Sequence, residues 1–285
     1  MGRPESLDRE PSLPGIFVRA ALTARNRGGD LPGTRLARRQ VPVEVDAVAR
    51  YARVCRFPIA DAVPVTYPHL LAFPLQMALM ADRAFPLALP GLVHVRNRIE
   101  QERPVRIGEH VDVEVHAERL AEHPRGVTVD LVSAVSVDGA EVWRGRSIYL
   151  ARGKRAATGA PRAEVGIAVG ELPPGSITWR LPADTGRRYA TVSGDVNPIH
   201  LSALSAKAFG FPRAMAHGMY VTARALAALT GRLPEALSAD VAFRKPLLLP
   251  STVLLASAPA EGGWDLAVQN ARQGTEHLVG AVRPL

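Results

Sequence analysis

The stretch RYATVSGD, residues 188–195, repeats the pattern of RYARVCRF, residues 50–57, without a gap and 138 residues further along the chain. Two more matches follow in the same order, between residues 67–80 and 215–228, and between residues 93–115 and 239–257 with a gap of about four residues. Self-similarity at a nearly constant spacing indicates copies of one structural unit. The sequence therefore predicts two copies of one unit in a single chain.

Each copy has the same predicted order of elements: a short helix, a long apolar helix and then strands. Val111, Val113 and Val115 alternate with polar residues, which is the period-two pattern of a half-buried strand. Asp138-Gly139 separates two further strand-like runs and favours a two-residue hairpin turn. A long helix followed by an antiparallel sheet that wraps it is an α+β arrangement. We therefore expect two α+β units paired through their sheets, with a ligand cleft at the junction.

The remaining segments set the predicted domain boundaries. Residues 153–175 are rich in Gly, Ala and Pro with weak periodicity, which is typical of a linker. This places the N-terminal unit at residues 41–152 and the C-terminal unit at residues 176–285. Residues 1–40 form an irregular, Arg-rich segment with a short helix predicted at residues 16–24, and the sequence assigns them no function.

The composition is that of a soluble globular protein with an unusual charge. Hydrophobic residues make up 47% and charged residues 22% of the 285 residues, far from a disordered composition. The net charge is +8, but only three of the 35 basic residues are Lys. The arginines are scattered and form no stripe with aromatic residues, so we expect no nucleic-acid partner. A diffuse positive field still favours an anionic partner, such as the phosphates of coenzyme A or an acidic carrier protein.

The cysteine content and the hydropathy of the chain indicate the cellular compartment in which we expect the protein. Cys55 is the single cysteine, which excludes an internal disulfide and a multi-cysteine metal site. The first 15 residues lack the apolar core of a secretory signal, and no run approaches the roughly 18 apolar residues of a membrane helix. We expect a cytoplasmic protein without a membrane span.

The two copies differ within YATVSGDVNPIHLS, residues 189–202. Asp195 stands opposite Phe57 of the first copy, which also has no histidine matching His200. Residues that served only the fold would be expected in both copies. The difference therefore indicates a functional site that is present once.

Asp195 and His200 have the chemistry of an acid and base pair. Asn197 suits a helix N-cap and Pro198 suits the first helical position, which places Asp195 on a turn and His200 in the first turn of a helix. A carboxylate and an imidazole there can share a water molecule, and such a pair typically contributes about 10²- to 10⁴-fold per proton transfer. Gly218 lies at the predicted start of the long helix, where a free N–H can stabilise an oxyanion.

Structural roles remain open for several of these residues. The Gly-Asp-x-Asn-Pro pattern also forms a turn with a helix cap, and His200 can be a satisfied, half-buried histidine. The comparison of the two copies favours a structural role for His217, because its counterpart His69 is present in the copy that lacks the aspartate. Arg244 and Lys245 are typical of the solvated charges at the end of a strand. The alternative is that one of them contacts a phosphate group of the substrate. The other histidines lack carboxylates at metal-ligand spacing, so no metal site is predicted.

The motif YATVSGDVNPIHLS, followed by FGFPRAMAHGMY at residues 209–220, resembles the MaoC-like family of (R)-specific enoyl-CoA hydratases and 3-hydroxyacyl-thioester dehydratases. The resemblance implies two hot dog folds, each a long helix wrapped by an antiparallel sheet, as in the double hot dog dehydratases of actinobacteria. It implies that Asp195 and His200 activate water, that Asn197 is the motif's structural polar residue, and that the Gly218 N–H binds the thioester carbonyl. It implies no metal or organic cofactor.

In such double hot dogs the N-terminal copy loses the catalytic pair and widens to hold the acyl chain, which fits Phe57 and the apolar run at residues 70–80. Leu226 stands where some single-domain relatives carry a serine, so a hydroxyl contact there is not implied.

We predict reversible dehydration of (R)-3-hydroxyacyl thioesters of coenzyme A or acyl carrier protein in fatty acid metabolism, by a monomer or homodimer of double hot dogs. The alternatives are a hot dog acyl-CoA thioesterase and an acyl-thioester binding or scaffold subunit without turnover.

Overall fold

Two similar sets of helices and strands follow one another along the chain. The computed structural model describes residues 4–22 and 27–285. The elements of the first half are β1 (Glu5–Ser6), α1 (Leu13–Leu22), β2 (Arg35–Pro42), α2 (Val45–Cys55), α3 (Tyr67–Ala81), β3 (Leu92–Gln101), β4 (His110–His123), β5 (Gly126–Val137) and β6 (Ala140–Arg152). Those of the second half are β7 (Ile177–Leu181), α4 (Thr185–Ser193), α5 (Pro198–Leu201), α6 (Ala203–Ala208), α7 (Gly218–Ala227), β8 (Leu237–Phe243), β9 (Ser251–Ala260), β10 (Gly263–Asn270) and β11 (Glu276–Pro284).

The strands form one sheet whose two halves have matching order. Within the described residues the order is β1-β2-β4-β5-β6-β3-β8-β11-β10-β9-β7, and every pair except the parallel β1 and β2 is antiparallel. At the centre β3 pairs with β8, from Arg96 opposite Ala242 to Gln101 opposite Leu237. This pairing covers one exposed edge strand of each half. The predicted pairing of two units through their sheets is confirmed.

Each half of the sheet wraps one long helix. Helix α3 packs against β4 and β5, and α7 packs against β10 and β11. Helix α3 is apolar on nearly all sides and almost entirely buried, as expected of a helix enclosed by its sheet. Val111, Val113 and Val115 of β4 are fully buried on the helix side. This arrangement is the expected pair of hot dog folds. No helix in the described part of the chain is long and apolar enough to span a bilayer.

The repeat of residues 50–57 at residues 188–195 is visible in helices α2 and α4. These helices contact each other, and their equivalent rings, Tyr51 and Tyr189, are both buried with centroids 6.3 Å apart. Each helix also ends with a left-handed residue at the equivalent position, Arg56 with φ 67° and Gly194 with φ 70°. The backbone of the repeat is therefore preserved although the residues at its end differ.

The N-terminal segment is more regular than the sequence analysis predicted. Strand β2 begins at Arg35, inside the segment expected to be irregular, and pairs with β4. The arginines of β2 made this segment look like a polar, irregular one in the sequence. In the structure they pair with carboxylates of β4: Arg35 lies 2.7 Å from Glu114 and Arg39 lies 3.2 Å from Asp112. A register shift between Arg38 and Val41 also interrupts the period-two pattern. The N-terminal unit therefore begins before residue 41.

Two smaller predictions concern local structure. The helix expected at residues 16–24 corresponds to α1, which begins earlier, at Leu13, and the end of the predicted range lies outside the described residues. The hairpin turn at Asp138 and Gly139 is confirmed, since the two residues have φ of 49° and 80° and connect β5 to β6.

The connector between the halves has no helix or strand over residues 153–176 and packs along the outer face of the sheet. Val165 contacts an outer cluster on β3 and β6, and Ile167, Val169 and Leu172 contact a second cluster on β8, β10 and β11. The connector therefore covers the sheet on both sides of the junction. The boundaries at residues 153 and 175 remain our proposed division of the chain.

An ion pair across the junction gives the first prediction. The Arg96 guanidinium donates to both carboxylate oxygens of Asp240, at 2.9 and 2.6 Å, and also to the Glu164 backbone oxygen of the connector at 2.7 Å. Asp240→Asn removes the charge from a bidentate, half-buried pair, so the free energy of unfolding should fall by about 1–3 kcal/mol. Urea denaturation measures this as a lower midpoint with an unchanged slope.

The matched control is Glu100→Gln, because Glu100 pairs with Arg98 on the same strand but both side chains are more exposed, at 35% and 46%. An exposed pair of this kind contributes about 0–1 kcal/mol. Equal losses in the two variants would show that the Arg96 and Asp240 pair does not stabilise the junction.

Candidate active site

The motif of residues 189–202 forms a helix end, a turn and a new helix. Gly194 terminates α4 in the left-handed region, and its N–H donates to the Ala190 oxygen at 2.9 Å. Asp195 follows on the turn, where its Oδ1 accepts the Asn197 N–H at 3.1 Å. Asn197 caps α5 by accepting the Ile199 N–H at 3.4 Å. The predicted turn and cap are present, and they fix the backbone on both sides of Asp195.

His200 is held in one tautomer by a backbone contact. Its Nδ1 lies 2.9 Å from the Met215 oxygen, and because a carbonyl oxygen only accepts, Nδ1 carries the proton. Nε2 of the neutral ring therefore presents a lone pair. Burial lowers the pKa of His200, with Asp195 acting in the opposite direction, so the ring is neutral and can accept a proton at Nε2 at pH 7.

Asp195 faces the same space as His200. Burial raises the pKa of the Asp195 carboxyl, against the opposite effect of His200, while 22% of the side chain stays open to the pocket. One carboxylate oxygen of Asp195 and one ring nitrogen each of His200 and His217 lie within 4.8 Å of one another. A gap of this size between two polar groups is one that a single water molecule can bridge.

His217 contacts both Asp195 and His200. Its Nε2 donates to the Asp195 backbone oxygen at 3.0 Å and lies 3.7 Å from the Asp195 Oδ2. Its ring stacks on His200 with centroids 3.7 Å apart and packs beside Tyr189 at 4.9 Å. These contacts support the structural role that the sequence favoured.

The three clustered side chains are a poor donor set for a metal ion. The rings of His200 and His217 are stacked, with an angle of 26° between their planes. Imidazole donates to a metal along its ring plane, and two nearly parallel stacked planes do not converge on one ion. The Nε2 of His217 is also engaged by the Asp195 backbone oxygen.

Gly218 begins α7, as predicted, and lines the same pocket. Its N–H belongs to the first turn, where backbone donors have no partner within the helix. A Cβ at this position would lie 2.8 Å from the ring of Phe243. The glycine therefore allows the ring of Phe243 to pack against the start of α7.

Gly186 is a site residue that the sequence analysis missed. A Cβ on Gly186, near the start of α4, would lie 2.0 Å from the backbone oxygen of His200. Helices α4 and α5 therefore meet backbone to backbone, which sets the position of His200. The signal was available, because glycine in a helix is unfavourable by about 1 kcal/mol and often marks close packing.

The pocket is a cavity of about 180 Å³ between the two units. Residues of both units line it, among them Phe17, Leu70, Phe73, Met77, Leu89 and Leu92 from the N-terminal half and Ser193, Asn197, Ile199, Met215 and Phe243 from the C-terminal half. The cleft expected at the junction is therefore present. Phe17 belongs to α1, so the segment to which the sequence assigned no function contributes to the pocket wall.

Four exposed basic side chains also line the pocket. Arg244 and Lys245 were predicted as site residues, whereas Arg125 and Arg152 were missed because they stand far away in sequence. Arg244 additionally donates to the Ile167 oxygen of the connector at 3.4 Å. Part of the positive charge of the chain is thus gathered at this pocket.

The structure does not bring Phe57 to the pocket. Phe57 follows α2, donates its N–H to the Ala52 oxygen at 2.9 Å and packs against the main core, and it is not among the pocket-lining residues. The prediction that Phe57 binds substrate is therefore not supported. The N-terminal wall of the pocket comes instead from α3, through residues such as Leu70, Phe73 and Met77.

Comparisons with known proteins agree with this architecture. The family described as "MaoC like domain" matches residues 162–262. The chain is 40% identical over 265 residues to the 3-hydroxyacyl-thioester dehydratase X of Mycobacterium tuberculosis, covering 93% of this chain and 94% of the relative. The crystal structure of HtdX from Mycobacterium tuberculosis matches 88% of this chain and 100% of that chain with a TM-score of 0.78 and 39% identity.

A more distant structure extends the likeness of fold. A MaoC-like dehydratase from Phytophthora capsici matches 88% of this chain and 95% of that chain with a TM-score of 0.71 at 18% identity. This likeness concerns the fold alone.

The packing of Gly186 gives a prediction about the placement of His200. Gly186→Ala should force α5 away from α4, because the new methyl group cannot fit beside the His200 backbone oxygen. Overpacking of this kind lowers the free energy of unfolding by about 1–3 kcal/mol, measured by urea denaturation. The control is Gly166→Ala, where a Cβ meets nothing within 4 Å and the change should stay within about 0.5 kcal/mol. Similar values for the two variants would refute the close packing.

The buried histidines give a prediction about pH. Burial lowers the pKa of His69 to about 4 and of His94 to about 3, and lowers the pKa of His200 and His217. The unfolded chain then binds protons that the folded chain does not, so the free energy of unfolding should decrease as pH falls below about 6.5. The raised pKa of Asp195 acts in the opposite direction, at the lower pH where that carboxyl titrates.

Urea midpoints measured between about pH 7 and about pH 5 test this expectation. The wild-type midpoint should fall with pH, and His69→Leu should give a shallower dependence because one buried histidine no longer titrates. A wild-type midpoint that is constant or rises over this range would contradict the neutral, buried state of these rings.

Proposed function

Because the chain belongs to the MaoC-like dehydratase family, we propose that it catalyses the reversible dehydration of (R)-3-hydroxyacyl thioesters and the hydration of trans-2-enoyl thioesters in fatty acid metabolism. One observation carries the proposal: Asp195 and a neutral His200 face each other in the pocket across a gap suited to one water molecule. Family membership rests on 40% identity covering 94% of a 3-hydroxyacyl-thioester dehydratase.

In the hydration direction the pair activates water. Asp195 accepts one hydrogen bond from the water and fixes its orientation. His200 Nε2 accepts a proton from the water as the oxygen bonds to C3 of the enoyl thioester, and the C2=C3 electron pair shifts to form a thioester enolate. The imidazolium of His200 then returns the proton to C2, which restores the starting state of the pair. Dehydration follows the same steps in reverse.

Gly218 stabilises the enolate in this scheme. The thioester oxygen gains negative charge when water adds, and the free N–H at the start of α7 is a donor with the positive end of the helix dipole behind it. Such preorganised donors contribute roughly 10²- to 10³-fold to a rate. Gly218 lines the pocket, so a substrate carbonyl bound there can approach this N–H.

The two units have different roles towards the substrate. We place the acyl chain along the apolar α3 wall of the N-terminal unit, at Leu70, Phe73 and Met77. The exposed Arg244 and Lys245, with Arg125 and Arg152, provide positive charge for the phosphate groups of coenzyme A or of a phosphopantetheine carrier. One chain contributes both units to the pocket, so a monomer contains a complete site. We place the reaction in the cytoplasm.

Replacement of Asp195 tests the mechanism. Asp195→Asn keeps the shape of the side chain but removes the carboxylate that orients the water, so kcat should fall by about 10²- to 10⁴-fold. The assay is the loss of enoyl-thioester absorbance with trans-2-enoyl-CoA of several chain lengths, and circular dichroism reports whether the variant is folded.

The matched control is Asp184→Asn, because Asp184 lies one helix away from Asp195 in sequence and pairs with the exposed Arg188 outside the pocket. It should retain wild-type turnover. Asp195→Asn with unchanged turnover would refute the mechanism. Release of free thiol by the wild type without hydration would identify a thioesterase, and binding of acyl-CoA without turnover would identify a binding subunit.

A further inference from the structure

A second group of polar side chains lies in the same pocket, on the N-terminal unit. His69 of α3, His94 of β3 and Tyr149 of β6 all line the cavity that contains Asp195. The ring of His94 stacks on Tyr149 with centroids 4.6 Å apart and lies 6.3 Å from the nearly parallel ring of His69. The proposed mechanism uses none of these three side chains.

Two ring nitrogens in this group have no partner. His69 Nδ1 and His94 Nε2 are buried and make no hydrogen bond to any described residue. The His69 side chain belongs to a residue with only 4% exposure. Buried polar atoms in folded proteins are nearly always paired, and an unpaired one carries a free-energy cost. A ligand atom that pairs with these nitrogens would remove that cost.

The backbone is shaped to point His94 into the pocket. Asn97 and Ile99 are buried on the inner face of β3, so period-two alternation would place Val95 inside and His94 outside. The strand register shifts by one residue between His94 and Arg96. This bulge turns Val95 to the outer face, where it packs under the connector, and turns His94 inwards. Bulges beside functional sites often redirect a side chain in this way.

The group lies on the path of the acyl chain. The ring of Phe243 approaches Gly218, where a Cβ would be 2.8 Å from it, and packs edge-on against His94 with centroids 5.0 Å apart. His69 in turn lies 6.1 Å from Phe73 of the apolar wall. An acyl chain that runs from the proposed oxyanion N–H of Gly218 towards Phe73 therefore first passes the ring of Phe243. It then passes the polar side chains of this group.

The chemistry of the group favours a neutral ligand with both donor and acceptor capacity. Burial lowers the pKa of His69 to about 4 and of His94 to about 3, so neither ring has a charge that could balance a carboxylate. A neutral imidazole has one N–H donor and one lone pair. Tyr149 adds a hydroxyl group, which lies 3.4 Å from the Gln76 Oε1. A hydroxyl group can both donate and accept and therefore fits this group.

We propose that His69, His94 and Tyr149 form a second polar subsite that binds a hydroxyl group on the tail of the acyl chain. The substrates favoured by the enzyme are then acyl thioesters that carry a hydroxyl group beyond the reacting carbons. This inference rests on the proposed function, because it assumes that the acyl chain runs from Gly218 along α3.

The test compares matched pairs of substrates. Trans-2-enoyl-CoA of one chain length is assayed unsubstituted and with a hydroxyl group at successive carbons of the tail. At least one hydroxylated substrate should have a kcat/KM about 10-fold or more above that of the unsubstituted one, because its hydroxyl group satisfies buried polar atoms that otherwise stay unpaired. No preference at any position would overturn the subsite.

Variants of His94 and His69 test whether the subsite causes the preference for the hydroxylated substrate. His94→Phe keeps an aromatic ring without ring nitrogens, and the ratio of kcat/KM values should fall towards one, whereas His94→Gln keeps a polar atom and should retain part of the preference. His110→Phe is the control, because His110 is exposed at the start of β4 and does not line the pocket. A preference that persists in both His94→Phe and His69→Leu would overturn the proposal.

Failure of the proposed function would be recognised separately, as absence of turnover with every enoyl-CoA. The subsite is then tested by equilibrium binding of saturated acyl-CoA with and without the tail hydroxyl. A tighter Kd for the hydroxylated ligand, lost in His94→Phe, supports the subsite. Equal Kd values overturn it.

Discussion

The antiparallel pairing of β3 with β8 is the constraint on which the site depends. This register aligns Arg96 with Ala242 and Ile99 with Ala239, and it fixes the distance between the two units. The ends of the same two strands carry His94 and Phe243, whose rings pack together in the pocket. A shift of register would separate the apolar wall on α3 from the turn that carries Asp195. The connector and the ion pair between Arg96 and Asp240 stabilise this register from the outer face.

Duplication within one chain lets the two units diverge. In the C-terminal unit, the tight turn after α4 and the close contact of Gly186 with His200 position the proposed acid and base pair. In the N-terminal unit the equivalent helix ends at Arg56 with the same left-handed backbone, and the residue opposite Asp195 packs into the core. The first copy therefore keeps the backbone of the turn and contributes to the pocket wall through α3 and β3.

Much of this arrangement could be predicted from local sequence patterns. The repeat at residues 50–57 and 188–195 indicated two units, and the spacing of Asp195, Asn197 and His200 indicated a turn, a cap and a helix start. The repeat can be read by comparing two segments of the sequence, and the second signal is local because caps and turns are set by neighbouring residues. Strand β2 was missed because its arginines are neutralised by carboxylates that lie 73 and 79 residues further along the chain, on β4. The inward turn of His94 and the departure of Phe57 from the pocket depend on tertiary packing, which no local pattern encodes.

The central claim is that one fixed pair, Asp195 and His200, adds water to one face of an enoyl thioester. The most direct measurement is the configuration of the product that the wild-type protein forms from a long-chain trans-2-enoyl-CoA, determined by chiral separation of the hydrated thioester. The account predicts a single enantiomer, because a single pair held by Met215 and His217 approaches the substrate from a single side, and the proposed reaction makes that enantiomer the (R)-3-hydroxyacyl product. A racemic or (S) product, or free coenzyme A without any hydroxyacyl product, would contradict it.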